Sequence, residues 1–465
     1  MGKTIKLTLM ISFLTQVIFA QQVRNLTVEQ AVTTALANVE EIKNLKLDEE
    51  IQVQKNKEVI GMTLPQVSFS AQGSYYLSTP QVQFPSSDYS IYEVLAREGV
   101  KDGNGNPINT GNSSLSVQAL SFFAPLNMNA GIGVNQLLFQ PDVFIAFQAR
   151  QGVLDLAKGN VAVAEDKVKE SVHKAYYSVL IAEQQKKVLG ETLLRLVKLQ
   201  SDMGEMYNKG FAEKLDIEKI QVTVNNTQTA LNQLNNGLAI SYSLLKTTIG
   251  VSQADSLVLS STLEDKDLKA VALMTSDKFD YNQRSEVSLL NTARKLQDLD
   301  LKRYKMAYIP SVAAFFQYQR NGQRNEQFNP TDPWFWYSTS LVGLNVSATL
   351  FDGLQRNRKV EQAKLSLAKV DNNLSQVKRY IDMEQDIAKK SLNNALLNLE
   401  VQQRNMALAQ SVFDATRKKY EAGLGSSFEL LQTDTELQRA QGNYFQALYD
   451  GFVAKTAFLK SIGKL

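Results

Sequence analysis

Four polar side chains on one helical face are the best candidates for chemistry in this chain: Glu429, Gln432, Thr433 and Glu436. Steps of three and four place them on one side of a helix, while Leu430 and Leu437 share another side suited to packing. Their chemistry is electrostatic, because nothing beside them completes a catalytic set. The single histidine, His173, sits inside a helical pattern, where a wall or packing role fits better than that of a base or a ligand. There is no Walker loop, no Gly-x-Ser-x-Gly and no His-Glu-x-x-His. Asp102, Asn104 and Asn106 alternate as in a calcium loop. However, Pro107 stands where that loop needs glycine and Ser113 where it needs glutamate, so a plain surface loop is expected. Absence of cysteine removes disulfides and thiolate metal sites. The expectation is a non-enzyme with no cofactor and no metal. A net charge of +3 gives no reason to invoke nucleic acid.

The elements that must position these residues are two long helical hairpins. One helix seam runs Val360, Ala363, Leu367, Val370, Leu374, Val377, Ile381, Glu384, Ala388, Leu392, Ala395, Leu399, Gln402, Met406, Ala409, Phe413, Thr416, Tyr420. Steps alternate between three and four, the coiled-coil repeat, with one extra step of four near Ala388, over a helix about 100 Å long. The pattern occurs earlier at a shift of 213 residues, so that Tyr207-Asn208-Lys209-Gly210-Phe211 answers Tyr420-Glu421-Ala422-Gly423-Leu424. Such a repeat outranks any local motif. Gly210 and Gly423 permit the left-handed backbone that reverses the chain. Asp216 is the first-repeat counterpart of Glu429.

In chain order, residues 1–20 read as a secretory signal peptide, with Lys3 and Lys6 before an apolar run that ends at Ala20. The first repeat spans 21–249: a helix from Thr27 to about Met62, a strand at 65–77, a long irregular loop at 79–127, a strand at 129–139, and a hairpin with its tip near 208–213. A connecting segment covers 250–280. The second repeat spans 281–465, with strands at 310–320 and 338–351, a shorter loop at 321–336, and a hairpin tip near 421–427. Pro65 and Pro310 end the helices that precede strands.

Each strand has an apolar face and a face of Ser, Gln, Asn and Gly. No apolar run after the leader reaches the roughly 18 residues of a membrane helix, so membrane insertion requires a β-barrel. A soluble sandwich is the alternative, but the polar face suits a wet lumen and the helices are too long for a small sheet. Val67, Phe69, Ile132, Val134, Val312, Phe316, Val342, Leu344 and Val346 are expected on the lipid side. Trp334, Phe335, Trp336 and Tyr337 stand beside the last strand, where an interfacial aromatic belt or an ordinary apolar cluster would lie. Four strands cannot close a barrel, so several copies must contribute.

At this point the chain resembles the TolC-like outer-membrane efflux family over essentially its whole length after the leader. The resemblance rests on Leu26-Thr27-Val28-Glu29-Gln30-Ala31-Val32, on the two prolines, on Leu350-Phe351-Asp352-Gly353 and on the two Tyr-x-x-Gly turns. Arg284-Ser285-Glu286 departs from the family's Arg-Pro-Asp or Arg-Pro-Glu. The resemblance implies an α+β membrane fold: a homotrimer with a twelve-stranded outer-membrane barrel, continued by a periplasmic α-helical barrel. It implies an exit duct for efflux or type I secretion, working with a periplasmic adaptor and an inner-membrane pump that supplies the energy. It places adaptor docking at the tips, here Tyr207, Gly210, Phe211, Tyr420, Gly423, Leu424 and Gly425. It also implies an acidic ring at the closed entrance. Glu429 matches the first position and Gln432 replaces the second carboxylate, with Glu436 and Asp216 nearby in sequence pattern. A periplasmic or surface coiled-coil scaffold without a pore is the competing reading.

Overall fold

The computed structural model describes residues 23–86, 91–108, 116–120, 124–261, 265–272, 279–325 and 331–465. The expected signal peptide lies outside the described residues. In chain order the elements are β1 (Val23–Leu26), α1 (Val28–Asn38), α2 (Glu40–Gly61), β2 (Gln66–Tyr75), β3 (Val82–Ser86), α3 (Ile91–Arg97), β4 (Ser116–Leu120), β5 (Leu126–Phe139), α4 (Pro141–Asn208) and α5 (Lys214–Thr248). There follow β6 (Ser256–Leu259), α6 (Asp265–Ala272), α7 (Ser285–Met306), β7 (Ser311–Arg324), β8 (Phe335–Ser347), α8 (Gln355–Glu421) and α9 (Ser427–Ser461). Two compact units result.

The helical unit comprises residues 1–54, 149–298 and 363–465. Within it, the α8 seam is buried or half-buried at every position from Ala363 to Tyr420. Its main core gathers α1, α4, α5 and α9 around Val172, Tyr176, Leu245, Ile249 and Phe452. Each such side chain contributes about 1.5–3 kcal/mol when removed from water. Thr27 caps α1 in a capping box with Gln30, as its sequence predicts.

Two features of this unit add to or differ from expectation. The first helix is two helices, because Val39 is extended (φ −63°, ψ 126°). Gly250 approaches that break so closely that a Cβ would lie 2.9 Å from the carbonyl carbon of Asn38. The connecting segment supplies β6, which pairs in parallel with β1. The Tyr176 hydroxyl, fully buried, donates to the Leu26 carbonyl at 2.8 Å and lies 2.9 Å from Ser261 Oγ, tying that small sheet to α4.

A network of charges joins α4, α7, α8 and α9. Arg284 bonds Glu286 and Glu384, at 3.1 and 2.9 Å, and donates to the Ser461 carbonyl at 3.1 Å. Lys460 reaches Glu170 at 2.7 Å, and Lys174 pairs with the same carboxylate at 2.5 Å. Glu384, which interrupts the apolar seam, is thereby accounted for. Ser285 donates to Asp166 Oδ2 at 2.7 Å, a bond that the proline expected from the resemblance could not make. Burial works to raise the Glu170 carboxyl, but hydrogen bonds from Lys174 and Lys460 outweigh it and hold it below its ordinary value. Glu286 behaves likewise, with burial outweighed by Arg284.

The second unit, 55–148 and 299–362, holds a four-stranded antiparallel sheet in the order β2-β5-β7-β8. Register aligns Val67, Val134, Phe316 and Val342 across all four strands, and Phe69, Ile132 and Tyr318 in the next row. Directly paired residues point to one face. Val67, Phe69 and Val342 are 70–76% exposed, whereas Val134 and Val312, on inner strands, are half-buried. The other face carries Ser68, Ser70, Gln317, Gln319 and Asn345 by the same registers, together with Phe315, whose ring lies over Gly343. A bulge between Leu137 and Phe139 bends β5 just before α4.

β5, β7 and β8 reach further toward the loops than expected, whereas β2 stops at Tyr75 and β8 ends at Ser347, short of the expected 77 and 351. β7 runs to Arg324, and β8 begins at Phe335, so Phe335, Trp336 and Tyr337 lie within the strand. Stacking of Trp334 on Trp336 and pairing of Tyr337 with Asn321 extend the ladder beyond the sequence-predicted ends. The loop at 79–127 contains β3 paired with β4, and α3. Asp102 Oδ1 accepts from the backbone amides of Asn104 and Asn106, a local turn of the plain kind expected.

Candidate gate and docking site at the hairpin turns

Both hairpin tips close by the same mechanism. Gly210 donates to the Tyr207 carbonyl and Phe211 to that of Met206; Gly423 donates to Tyr420 and Leu424 to Lys419. Those are two Schellman motifs 213 residues apart, with glycine φ of 76° and 71°. The far ends of α5 and α9 repeat the device at Gly250 and Gly463, again 213 residues apart. Phe211 and Leu424 are almost fully exposed at the two turns, and Tyr207 is 44% exposed. Gly425 packs against the Tyr420 backbone, where a Cβ would approach the amide nitrogen to 3.2 Å.

The two tips touch. The Tyr420 hydroxyl meets Met203 Sδ, and Ser427 donates to Asp216 Oδ1 at 2.6 Å. Asp216 is therefore spent on joining the two hairpins. Glu429, in the first turn of α9, accepts from Lys419 at 3.2 Å and stays 45% exposed. Its backbone amide is capped by Ser426. Gln432 and Glu436 are exposed, and Glu436 pairs with Arg439 at 3.3 Å. Leu430 and Leu437 are buried against Phe413, on the packing side assigned to them. Among the described residues no group of three metal-ligating side chains occurs. His173 stands 5.9 Å from the Tyr177 ring, and burial pushes its pKa down.

Sequence reasoning passed over one pair near these turns. Asp434, 1% exposed, takes Arg195 Nη2 at 2.8 Å, and that guanidinium lies over the Phe413 ring. The signal was available: Asp434 falls at i+4 from Leu430 and three before Leu437, a charge on an apolar stripe. A groove between α5 and α9 is lined by Leu215, Val222, Phe428, Leu431, Gln432 and Glu436.

Residues 298–464 fit the family of the outer membrane efflux protein. Outer membrane protein TolC of Vibrio cholerae serotype O1 is 20% identical over 343 residues, 73% of this chain and 77% of that protein. The fold is similar to that of CusC, described as forming a transmembrane channel, with a TM-score of 0.68 at 14% identity, covering 94% of this chain and 91% of CusC. It is also similar to the outer membrane protein VceC of Vibrio cholerae, with a TM-score of 0.66 at 10% identity over 94% and 96% of the two chains. Over residues 298–464 the chain thus matches the outer membrane efflux protein family, and over nearly its whole length its fold is similar to that of outer membrane channel proteins.

Proposed function

We propose that this protein is the outer-membrane exit duct of a tripartite efflux or type I secretion machine. The observation that carries the reading is the sheet, which presents an in-register, exposed apolar face and ends in two strands, β2 and β8, whose outer edges have no partner among the described residues. Unpaired strand edges are not tolerated in lipid. Three copies joined edge to edge give a twelve-stranded closed barrel with the Ser, Gln and Asn face around a wet lumen. Neighbouring copies also cover the second apolar stripe of α8 (Met383, Ile387, Leu397, Val401, Leu408, Val412), which is exposed in the single chain. The helical unit then forms a periplasmic barrel, with the paired tips as the surface that an adaptor engages. The sequence has no Walker loop, and an inner-membrane pump supplies the energy in this reading.

Extraction of the outer membrane should yield trimers that run as heat-modifiable bands and conduct in planar bilayers. Monomers, or trimers that seal bilayers, would return the chain to the pore-less scaffold.

A further inference from the structure

The apolar face of the sheet carries one charged residue that its fold does not neutralise. Arg320 sits on β7 in the same parity as Phe316 and Tyr318, paired with Ala130 and Ser338. It therefore belongs to the lipid side, one row beyond the apolar rows and toward the loop end of the strands. Its guanidinium lies 5.5 Å from the centre of the Trp336 ring. That indole is held flat: a Cβ at Gly322 would meet it at 2.7 Å, and Trp334 stacks on it at 5.5 Å and 26°. Arg324, next on the same side, faces Asp332 at 3.8 Å. Arg320 is exposed, and among the described residues no carboxylate pairs with it.

An arginine on the lipid face is costly at mid-bilayer and nearly free at the interface. Indoles favour that same depth. A guanidinium braced over an aromatic ring presents its fork of donors outward, and a phosphate is the anion that fits such a fork. We propose that Arg320, Trp336 and Trp334 form a binding site for the phosphate group of a phosphorylated glycolipid in the outward-facing leaflet, three sites per trimer. The proposal rests on the outer-membrane channel reading, because it needs the loop end of the sheet to reach that leaflet.

The chain has only two tryptophans, and both belong to this platform. Intrinsic fluorescence is therefore a local reporter. Purified trimers in nonionic detergent are titrated with a diphosphorylated lipid A-type glycolipid, with its dephosphorylated form, and with inorganic phosphate. The phosphorylated lipid should give a saturable emission change, weakened about fivefold or more in Arg320→Gln and only partly recovered in Arg320→Lys, which keeps the charge but not the fork. An identical titration in Arg320→Gln overturns the site. So does an equal response to the dephosphorylated lipid. Saturation by inorganic phosphate at similar concentrations would mark a free-anion site and overturn the lipid assignment. Heat-modifiability and conductance are measured on the same samples. Conducting trimers blind to phosphorylated lipid sink only the lipid site; wild-type monomers sink the channel reading and the lipid site with it.

Discussion

The two units place their apolar side chains in opposite ways. In the helical unit Leu392, Leu437 and Phe452 are buried to 2% exposure or less. In the sheet unit Phe69, Val342 and Leu344 are at least 67% exposed, and the polar side chains occupy the other face. Both units obey one rule, that apolar surface avoids water. The difference teaches that they are built for different solvents: helices that hide a seam suit an aqueous compartment, and a sheet that displays one suits lipid. An inverted soluble sandwich would leave a large apolar patch in water, which monomeric proteins rarely do.

The sharpest way to break that comparison is to charge the two faces of β8 in turn. Val346 pairs with Val312 on the apolar side, and Asn345 pairs with Ala313 on the other. Val346→Arg puts a guanidinium in the lipid band at a cost of up to about 2–4 kcal/mol per copy, multiplied by the copies in the assembly. Heat-modifiable trimers in the outer-membrane fraction should fall to a small residue of wild type, while Asn345→Arg assembles normally. Equal assembly of the two variants would remove the lipid-facing assignment.

Much of this was legible before any coordinates. Alternation over residues such as Val67 to Tyr75 marks a strand because period two survives wherever one face meets a different solvent. The α8 seam and the glycine turns are equally local signals. What the sequence hid was non-local or spare. β1 and β6 are four residues each and pair across 233 positions, too short for any periodicity. The break at Val39 lies against Gly250, a residue 211 positions away, and no residue of α1 or α2 announces it. At the tips the face assignment of Glu429 and Leu430 could be read from helical spacing. The commitment of Asp216 to Ser427 could not, since it depends on how two hairpins 211 residues apart in sequence meet.

The helical unit holds part of its charge in a half-buried network, which makes it acid-sensitive. Glu170 and Glu286 both have carboxyls held below the ordinary 4.5 by their cationic partners. Groups with depressed pKa stabilise the fold above the unfolded-state value, and that contribution is lost as pH falls through the folded one. Lys460 is shifted upward, since Glu170 and Glu384 outweigh its burial, so its contribution holds until pH rises beyond the ordinary 10.5. Helical melting followed by circular dichroism should thus be flat near neutrality and drop below about pH 4.5. Glu170→Gln should lower the neutral-pH midpoint and flatten the acid limb. A midpoint that climbs on acidification would exclude the carboxylate network as a source of stability.

The smallest effect, and the finest test of the helical unit, lies at its tips. In the proposed trimer three copies of Glu429 would form a ring of negative charge around one axis, and like charges crowded in a constriction bind a cation that relieves their repulsion. The ring is weakened twice over: Gln432 occupies the place of a second carboxylate, and Lys419 sits 3.2 Å from Glu429. Asp216 is turned toward Ser427 and shares its charge with Lys219 at 3.9 Å, and Glu436 shares its charge with Arg439. Cation preference should therefore be modest. Hexaamminecobalt on the periplasmic side should block single channels, less so in Glu429→Gln. Lys419→Gln removes the compensating cation and should block more tightly than wild type. An exposed ion pair of this kind is worth at most about 1 kcal/mol, so each shift should stay within about fivefold in blocker concentration. Block that is unchanged in Glu429→Gln and also in Lys419→Gln would move the constriction away from this ring, with Glu436 the next residue to neutralise.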